Sequence, residues 1–269
     1  MSAGIILVLA AAVVFLAGEL KRERAENARK LKELEERLKQ EYSVEMVDKQ
    51  TKLSALQSQI NPHFLYNTLE CIRSEALLYD CDSIARMAKA LASFFRYSIS
   101  KKENVVTIRE ELANIENYFL IQSYRFDDKF SLEIQVEQDE RDVYSCLIPK
   151  LSLQPIVENA IFHGLETKAE DGKVGITIRT TEDKILLTVS DNGVGIGRED
   201  LERMRESLKH PSMAESKEGK RGNGVALTNV SQRIKLIFGG DYGLEVYSTQ
   251  GVGTDVELIF PMVTDRMEL

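Results

Sequence analysis

The chain has 269 residues, 43% of them hydrophobic, which is enough for one large domain or two small ones with a real core. Its formal net charge of −8 disfavours nucleic acid as a partner. Three cysteines, Cys71, Cys81 and Cys146, are too few for a disulfide framework or a metal site, which indicates a reducing compartment.

Glycine divides the chain into two parts. None occurs between Gly18 and Gly164, and fourteen of the 16 fall from Gly164 to Gly253. Glycine is unfavourable inside helices and is needed in tight turns and phosphate loops. The first part is therefore predicted to be helical, and the second to mix helices with strands.

Residues 1–18 carry no charged side chain, and their length is near the lower limit of about 17–25 residues for a membrane-spanning helix. No basic residue precedes this run, but six follow it closely: Lys21, Arg22, Arg24, Arg29, Lys30 and Lys32. This pattern predicts a single-pass anchor in the cell (inner) membrane, with the catalytic body in the cytoplasm. A signal peptide is the alternative. The short outer tail leaves no room for a sensor domain, so a separate membrane sensor subunit is a candidate partner.

Residues 19–60 contain neither glycine nor proline and are rich in Glu, Lys, Leu and Arg, a composition typical of long helices. Apolar residues spaced three and then four apart mark two seven-residue registers, joined by four-residue steps through Tyr42 and Met46: Leu31, Leu34 and Leu38, then Leu53, Leu56 and Ile60. We expect a parallel coiled-coil stalk over 19–56 with a stutter. A solvated charged helix is the alternative.

Residues 57–69 read Gln-Ser-Gln-Ile-Asn-Pro-His-Phe-Leu-Tyr-Asn-Thr-Leu. His63 lies in an apolar, aromatic run that is predicted to be helical, and imidazole is a competent nucleophile near neutral pH. A core histidine would be the simpler interpretation, but Asn61, Pro62 and Asn67 are costly in a merely structural helix. Asn67, one turn after His63, is placed to orient the imidazole or a water. Pro62 either kinks a longer helix or starts a new one capped by Asn61.

A helical hairpin is predicted from here to residue 103. Apolar residues mark one face of the first helix, Asp80 to Asp82 form a turn, and Asp82 or Ser83 caps the second helix. The two faces are Leu65, Leu69, Ile72 and Ala76, then Ile84, Met87, Ala88, Leu91, Phe94, Phe95 and Ser98. Because two antiparallel helices bury little alone, two copies are expected to form a dimeric four-helix bundle.

Residues 104–269 are predicted to form the next domain. Thr107 and Glu110 spell a capping box, followed by a helix with Ile108, Leu112, Ile115 and Phe119 on one face. Phe130 to Val136 alternates like a strand, and a helix is expected from about Leu151, after Pro149. Residues 207–221, which include His210, are rich in Lys, Glu and Ser and are expected to form a mobile lid.

Four patches of this domain are typical of a nucleotide site. The first is Leu-Gln-Pro-Ile-Val-Glu-Asn-Ala-Ile-Phe-His-Gly, residues 153–164, in which a buried Asn159 would need a partner. The second is a strand that ends at Asp191, followed by glycines 193, 195 and 197. The third, from Gly222, is a glycine turn feeding a helix, whose free N–H groups suit phosphate. The fourth, residues 250–255, is a hairpin turn that fits an ordinary turn equally well.

Together these motifs resemble a known family. Residues 57–69 are similar to the phospho-acceptor box of sensor histidine kinases of the LytS and YesM type. The later patches resemble the N, G1 and G2 boxes of the ATP-binding fold shared by gyrase, MutL, the heat-shock ATPase and histidine kinases. The resemblance implies a dimeric four-helix-bundle domain and then an α/β sandwich ATPase domain, which would follow the transmembrane helix and coiled coil predicted above.

The resemblance also implies ATP and Mg²⁺. By it, the side-chain oxygen of Asn159 binds Mg²⁺, Asp191 accepts the exocyclic amine of adenine, and Gly193 and Gly195 let the backbone approach the base. The other nucleotide-binding residues it implies are His163, Gly222, Gly224, Leu227 and Asn229.

Three positions depart from patterns seen in related enzymes. Ala226 stands where glycine is commoner, which puts close backbone approach there in question. Pro155 stands where the related hydrolases carry a glutamate base, which favours transfer to a protein nucleophile over hydrolysis. Phe64 stands where many histidine kinases carry an acidic residue, so the sequence does not identify the general base.

The predicted function is that of a two-component sensor histidine kinase. The chain would phosphorylate itself on His63 with Mg·ATP and pass the phosphoryl group to an aspartate of a response regulator, a partner that only the resemblance supplies. Two alternatives remain open. One is a non-catalytic, nucleotide-binding dimeric adaptor, and the other is a phosphatase-biased protein in which Asn67 positions water.

Overall fold

The computed structural model describes residues 62–100, 103–127, 129–137, 143–166, 171–209 and 223–265. The predicted anchor (1–18) and stalk (19–56) lie outside these ranges, as do Asn61 and His210. Within the described ranges, no helix is both long enough and apolar enough to cross a bilayer. The described chain therefore comprises the predicted acceptor hairpin and the predicted ATP-binding domain.

Two helices, α1 (Pro62–Leu78) and α2 (Asp82–Ile99), form the hairpin. Small side chains dominate their contact, because alanines allow two helix backbones to come close: Ala76, Ala85, Ala88, Ala90 and Ala92 are buried. Of the predicted apolar faces, Leu69 is buried, whereas Ile72 and Ile84 are 44% and 47% exposed. One copy of the hairpin thus leaves part of its apolar surface in solvent.

The turn between α1 and α2 differs from the prediction. Asp80 adopts a left-handed conformation (φ 54°), and its N–H and that of Cys81 donate to Leu77 O (3.3 Å) and Ala76 O (2.8 Å). This is the Schellman arrangement that ends a helix. Cys81 is consequently the N-cap of α2, without a side-chain cap bond, and the predicted cap at Asp82 or Ser83 is wrong.

Helix α3 (Ile108–Arg125) joins the hairpin to the second domain. Its predicted capping box is confirmed, because the Thr107 hydroxyl accepts from Glu110 N (3.2 Å) and the Glu110 carboxylate accepts from Thr107 N (2.8 Å). On one side α3 packs against α2, where the rings of Phe94 and Tyr118 lie 5.6 Å apart. Before it, β1 (Val105–Thr107) pairs antiparallel with β3 (Leu147–Pro149).

The second domain is built on a mixed five-stranded sheet. Its strands are β2 (Phe130–Val136), β4 (Gly172–Thr180), β5 (Lys184–Asp191), β6 (Gly243–Thr249) and β7 (Gly253–Pro261). Their spatial order is β2-β4-β5-β7-β6, and β2 and β4 are parallel while the other neighbours are antiparallel. The predicted bounds of β2 and the hairpin turn between β6 and β7 are confirmed.

Alternate residues of the strands form a core with the helices. The chain forms helix α4 (Gln154–Asn159), a π-helix (Ala160–Leu165), α5 (Arg198–Lys209) and α6 (Asn223–Phe238). Every second residue of β4 and β5 is buried, and these residues share one cluster with apolar residues of the helices. The result is the predicted two-layer α/β sandwich with the helices against one face of the sheet.

Two predicted boundaries shift. The helix expected from about Leu151 begins at Gln154, because Leu151 adopts a left-handed conformation (φ 59°) that no helix continues through. Ser207 to Lys209, expected in the lid, form the last turn of α5, while residues 210–221 of that segment lie outside the described chain.

Candidate nucleotide site and phospho-acceptor helix

His63 lies in the first turn of α1 and is exposed to solvent. Its ring nitrogen Nδ1 lies 3.3 Å from the side-chain amide nitrogen of Asn67, four residues on and also exposed. The i, i+4 spacing puts the two side chains on one face of the helix. The predicted pairing of His63 with Asn67 is therefore present, and one side chain can orient the other.

The contacts of Tyr66, about one helical turn after His63, locate His63 along the hairpin. The Tyr66 hydroxyl donates to Phe95 O (3.3 Å), and the Arg96 guanidinium lies 5.5 Å from the centre of the Tyr66 ring. Since α1 and α2 run in opposite directions, His63 lies level with the last turn of α2, which carries Tyr97. The acceptor histidine is thus at the end of the hairpin that adjoins α3.

Asn159 ends helix α4, between the buried residues Val157 and Ala160. Its amide nitrogen is buried and has no hydrogen-bond partner among the residues that the structure describes. A buried amide without a partner is costly in a finished core. This unsatisfied donor fits a residue that awaits a hydrogen-bond acceptor such as a phosphate oxygen, and the magnesium role of its side-chain oxygen stays a prediction.

Asp191 is the last residue of β5, as the sequence predicts. One carboxylate oxygen, Oδ1, accepts from the N–H of Gly193 (2.8 Å), which fixes the side chain at the start of the loop. A Cβ atom placed on Gly164 would lie 2.8 Å from the same oxygen. The end of the π-helix and the Asp191 carboxylate are therefore in direct contact, which brings the first two predicted patches together.

Glycine in the loop has a structural reason besides the predicted approach to the base. A Cβ on Gly193 would lie 2.2 Å from the carbonyl oxygen of Gly164, and one on Gly195 (φ 64°) would lie 2.2 Å from that of Thr249. The loop is also tied down by Val194 N donating to Gly164 O (3.0 Å). Both glycines thus make room for neighbouring backbone of the protein itself, and the predicted approach of this loop to the base stays a prediction.

Asn192, the residue between Asp191 and Gly193, has a bracing role. Its side-chain oxygen accepts from Lys173 N (2.8 Å), and its side-chain nitrogen donates to Asp171 O (2.9 Å). These bonds fasten the loop that follows Asp191 to the start of β4.

Thr254, a residue of the fourth predicted patch, is a neighbour of Asp191. Thr254 lies opposite Asp191 in the β5–β7 pairing, and its hydroxyl is 2.9 Å from that of Ser248, which in turn donates to Gly253 O (2.8 Å). The sequence left the fourth patch open between a part of the nucleotide site and an ordinary turn. Its position beside a strand-end aspartate becomes visible once the strand register is known.

The third patch is only partly described. Gly224 lies in the first turn of α6, Leu227 is buried in the hydrophobic core, and Asn229 is exposed. Gly222 lies outside the described residues, and His163 is exposed near the end of the π-helix. The roles of these five residues towards a nucleotide remain predictions.

The residues present suit a metal that a nucleotide brings with it. Among the described residues, no group of three or more His, Cys, Asp or Glu side chains is placed to hold an ion. Magnesium takes oxygen ligands and commonly uses substrate phosphates with only one or two protein side chains. The side-chain oxygen of Asn159 fits a site in which phosphate oxygens supply most of the ligands, and its unsatisfied amide nitrogen could donate to one of those phosphate oxygens.

A buried polar cluster, which the sequence reasoning missed, joins the two domains. Glu111 of α3 has no solvent exposure, and its carboxylate accepts from the Tyr97 hydroxyl, from Leu151 N and from Leu153 N (3.1 Å). Burial raises the pKa of the Glu111 carboxyl, while its hydrogen bonds from Tyr97, Leu153 and Leu151 act in the opposite direction. The sequence contained one sign of this cluster, because Glu111 lies on the same helix face as the apolar residues Ile108 and Ile115.

Fold and site together define an ATP-binding domain joined to a helical hairpin with an exposed histidine. Residues 51–130 match the family model described as "Histidine kinase", and residues 149–264 match that of the "Histidine kinase-, DNA gyrase B-, and HSP90-like ATPase". The chain belongs to the histidine kinase family, within the group that includes YesM and LytS.

Curated relatives place the chain within that group. It is 35% identical over 231 residues to the sensor histidine kinase YesM of Bacillus subtilis, which covers 86% of this chain and 37% of that protein. It is 34% identical to the sensor histidine kinase YpdA of Escherichia coli (81% and 35% covered) and 34% identical to the sensor protein LytS of Oceanobacillus iheyensis (79% and 35% covered). The chain thus spans about a third of the length of these relatives.

A solved structure gives a weaker likeness. The histidine kinase domain from a blue-light activated histidine kinase of Erythrobacter litoralis covers 78% of this chain at 16% identity and a TM-score of 0.38. Family membership rests on the two family models and the sequence relatives.

Proposed function

We propose that this chain phosphorylates itself on His63 with ATP and then passes the phosphoryl group to an aspartate on a response regulator. The observation that carries the proposal is the exposed imidazole of His63, held by Asn67 at the start of a hairpin whose neighbouring domain has the fold of a histidine kinase ATPase. The receiving aspartate is inferred from the family, whose members act in two-component signalling.

The transfer of the phosphoryl group from ATP to His63 is a displacement at phosphorus. An unprotonated ring nitrogen of His63 attacks the γ-phosphorus of ATP, an N–P bond forms, the bond from phosphorus to the bridging oxygen breaks, and ADP leaves. The Asn67 amide nitrogen faces Nδ1, and as a donor to Nδ1 it would leave the ring proton on Nε2. A half-turn of the amide would bring its oxygen to Nδ1–H and leave the lone pair on Nε2. We propose Nε2 as the attacking atom in this second arrangement, with Asn67 as the residue that selects the tautomer.

In the ATP-binding domain, Asp191 would accept from the adenine amine and Asn159 would hold Mg²⁺ through its side-chain oxygen. Magnesium, when bound, offsets the negative charge of the phosphates. The fixed Asp191 side chain supports the first role. The second role rests on the family resemblance, while the unsatisfied amide nitrogen of Asn159 is suited to donate to a phosphate oxygen of the same nucleotide.

We also propose that the acting unit is a homodimer anchored in a membrane. Large apolar side chains of the hairpin remain exposed in one copy: Phe64 (70%), Ile72 (44%), Leu77 (47%), Leu78 (77%), Tyr79 (72%) and Ile84 (47%). A second hairpin would cover such a surface in a four-helix bundle. The membrane anchor rests on the sequence of residues 1–32 alone.

The test is incubation of the purified full chain with γ-labelled ATP and Mg²⁺. We expect a phosphoprotein whose label is stable in alkali and lost in acid, as a phosphoramidate is. His63→Gln should abolish the label while leaving ATP affinity nearly unchanged, because a polar side chain of similar reach replaces an exposed one. Label that persists in His63→Gln would overturn the acceptor assignment, and wild-type protein that binds ATP without labelling would favour the adaptor.

A further inference from the structure

Three polar side chains form a row across one end of the five-stranded sheet. Ser248 of β6 pairs with Thr254 of β7, and Thr254 pairs with Asp191 of β5. Because paired residues on neighbouring strands present their side chains to the same face, the three side chains lie side by side. All three are half-buried. We call Ser248, Thr254 and Asp191 the polar row.

The polar row lies where the hydrophobic core ends. On the same face of the sheet, the next residues of these three strands are apolar and buried: Val246, Val256 and Val189. This is the face that the helices cover, and Asp191 is in contact with Gly164 at the end of the π-helix. A ligand held between the sheet and the π-helix would therefore meet the polar row.

Backbone contacts fix the strand ends that carry the row. A Cβ atom on Gly253 would lie 2.0 Å from the backbone oxygen of Asp191, so β7 starts directly against the end of β5. The N–H of Gly251 donates to Val194 O (2.7 Å), which ties the turn between β6 and β7 to the loop after Asp191. The spacing of the three side chains is consequently set by the fold itself.

The hydroxyl of Ser248 uses its whole hydrogen-bonding capacity. It accepts from the N–H of Ile196 (2.9 Å) and donates to the carbonyl oxygen of Gly253 (2.8 Å). Its remaining neighbour is the Thr254 hydroxyl, 2.9 Å away. A hydroxyl has one proton and two lone pairs. Since the proton of Ser248 is already used on Gly253, the Thr254 hydroxyl is the donor of this pair.

Thr254 therefore offers a ligand lone pairs and no proton. The neighbouring Asp191, as a carboxylate, is also an acceptor only. The Cβ atoms of directly paired residues are about 5 Å apart. Two acceptors that share one amino group have the same separation of about 5 Å, because each N–H···O bond is about 2.9 Å long and the two N–H bonds diverge by about 120°.

We propose that Ser248 sets the base specificity of the nucleotide site by holding the Thr254 hydroxyl as an acceptor. The 6-amino group of ATP then donates one proton to Asp191 and the other to Thr254. Inosine triphosphate (ITP) has an oxygen at this position, which would face two acceptors. Ser248 is a positioning residue, because it acts through Thr254. The inference rests on the proposed ATP-binding function and adds the residue that turns the site against 6-oxo purines.

The test is calorimetric titration of the full chain with Mg·ATP and with Mg·ITP, and the readout is the ratio of the two dissociation constants. This ratio does not depend on phosphoryl transfer. We expect wild-type protein to bind ATP about a hundredfold more tightly than ITP, because the acceptors of the row receive no proton from a 6-oxo group. Equal affinity of the wild type for the two nucleotides would overturn the proposal.

Ser248→Ala should lower this ratio by about tenfold, because the released Thr254 hydroxyl can turn its proton to the 6-oxo group. Ser248→Thr keeps a hydroxyl and should keep the wild-type ratio. The matched control is Ser190→Ala, since Ser190 adjoins Asp191 on β5 but lies on the opposite face of the sheet. A general loosening of the site would weaken both nucleotides alike and leave the ratio unchanged.

A second variant separates positioning from structure. Thr254→Val removes the hydroxyl but keeps the shape of the side chain, and it should lower the ratio by about tenfold by itself. Adding Ser248→Ala to Thr254→Val should not change the ratio further, because Ser248 acts only through Thr254. If circular dichroism shows that Ser248→Ala does not fold, Thr254→Val decides alone.

An unchanged ratio in folded Ser248→Ala or in Thr254→Val would overturn the proposal, and so would a further effect of Ser248→Ala in the Thr254→Val background. Wild-type protein that gives the expected ratios but takes no label on His63 would contradict the kinase function and leave this inference standing.

Discussion

Gly193 lies so close to Gly164 that a Cβ atom on Gly193 would sit 2.2 Å from the Gly164 carbonyl oxygen and 2.5 Å from its Cα. This contact joins the loop after Asp191 to the end of the π-helix that follows Asn159. It brings together the residue predicted to bind adenine and the helix predicted to bind magnesium. A side chain on Gly193 would push the backbones of the two patches apart, and one on Gly164 would displace the Asp191 carboxylate.

The first prediction concerns this contact. Gly193→Ala should lower the midpoint temperature of unfolding and weaken ATP binding, because the overlap with Gly164 must be relieved by backbone movement, at a cost of roughly 1–3 kcal/mol. Thermal unfolding and calorimetric titration with Mg·ATP measure the two effects. Gly240→Ala is the matched control, since a Cβ there meets nothing within 4 Å. Equal behaviour of the two variants would contradict the contact.

The second prediction concerns adenine recognition. Asp191→Asn should keep the fold, because the amide oxygen can still accept from Gly193 N, but it should weaken ATP binding by roughly ten- to hundredfold through loss of the charged acceptor. Calorimetry gives the affinity, and circular dichroism confirms the fold. Unchanged affinity in a folded variant would remove Asp191 from the site.

The third prediction concerns the start of α3. Thr107→Ala should lower the free energy of unfolding by about 1 kcal/mol, because the N–H of Glu110 loses its side-chain acceptor. Denaturant titration measures the change. Ser207→Ala is the control, since the Ser207 hydroxyl donates to Arg203 O within a helix and caps nothing, so its loss should be nearly neutral. A Thr107→Ala variant as stable as wild type would count against the capping box.

The fourth prediction concerns pH. Burial raises the pKa of Glu111 in the folded protein above its ordinary value of 4.5, so the folded state binds more protons than the unfolded state as pH rises above 4.5. The contribution of this group to stability is therefore full below pH 4.5 and is lost as pH rises through the folded pKa. Glu111→Gln lacks this dependence.

Unfolding midpoints between pH 5 and pH 8 test the fourth prediction. The midpoint of Glu111→Gln relative to wild type should increase with pH. A difference that is constant across this range, or that decreases, would show that the carboxyl is ionised in the folded state at ordinary pH.

Features that depend on neighbouring residues could be predicted from the sequence. The capping box at Thr107, the bounds of β2 and the position of Asp191 at the end of β5 each follow from a local pattern of residue types. The turn between α1 and α2 was harder to predict. It depends on the left-handed conformation of Asp80, and the local pattern of residue types does not specify which residue of the turn adopts that conformation. The start of α4 was missed for the same reason at Leu151.

Features that depend on distant contacts could not be predicted. The partners of Glu111 lie 14 to 42 residues away, so the sequence showed only a charge on an apolar helix face. Gly193 and Gly164 come into contact only after the sheet and the π-helix have packed together. The fold therefore adds a structural need for Gly193 that the sequence pattern could not show.

The most direct test of the central claim is mass-spectrometric location of the phosphoryl group after incubation of the full chain with Mg·ATP at neutral or alkaline pH. The account predicts phosphate on the peptide that contains His63, on the imidazole, and none on peptides that contain His163 or His210. Asn159→Ala serves as the control and should give no phosphopeptide. Phosphate found on another residue, with His63 unmodified, would contradict the account.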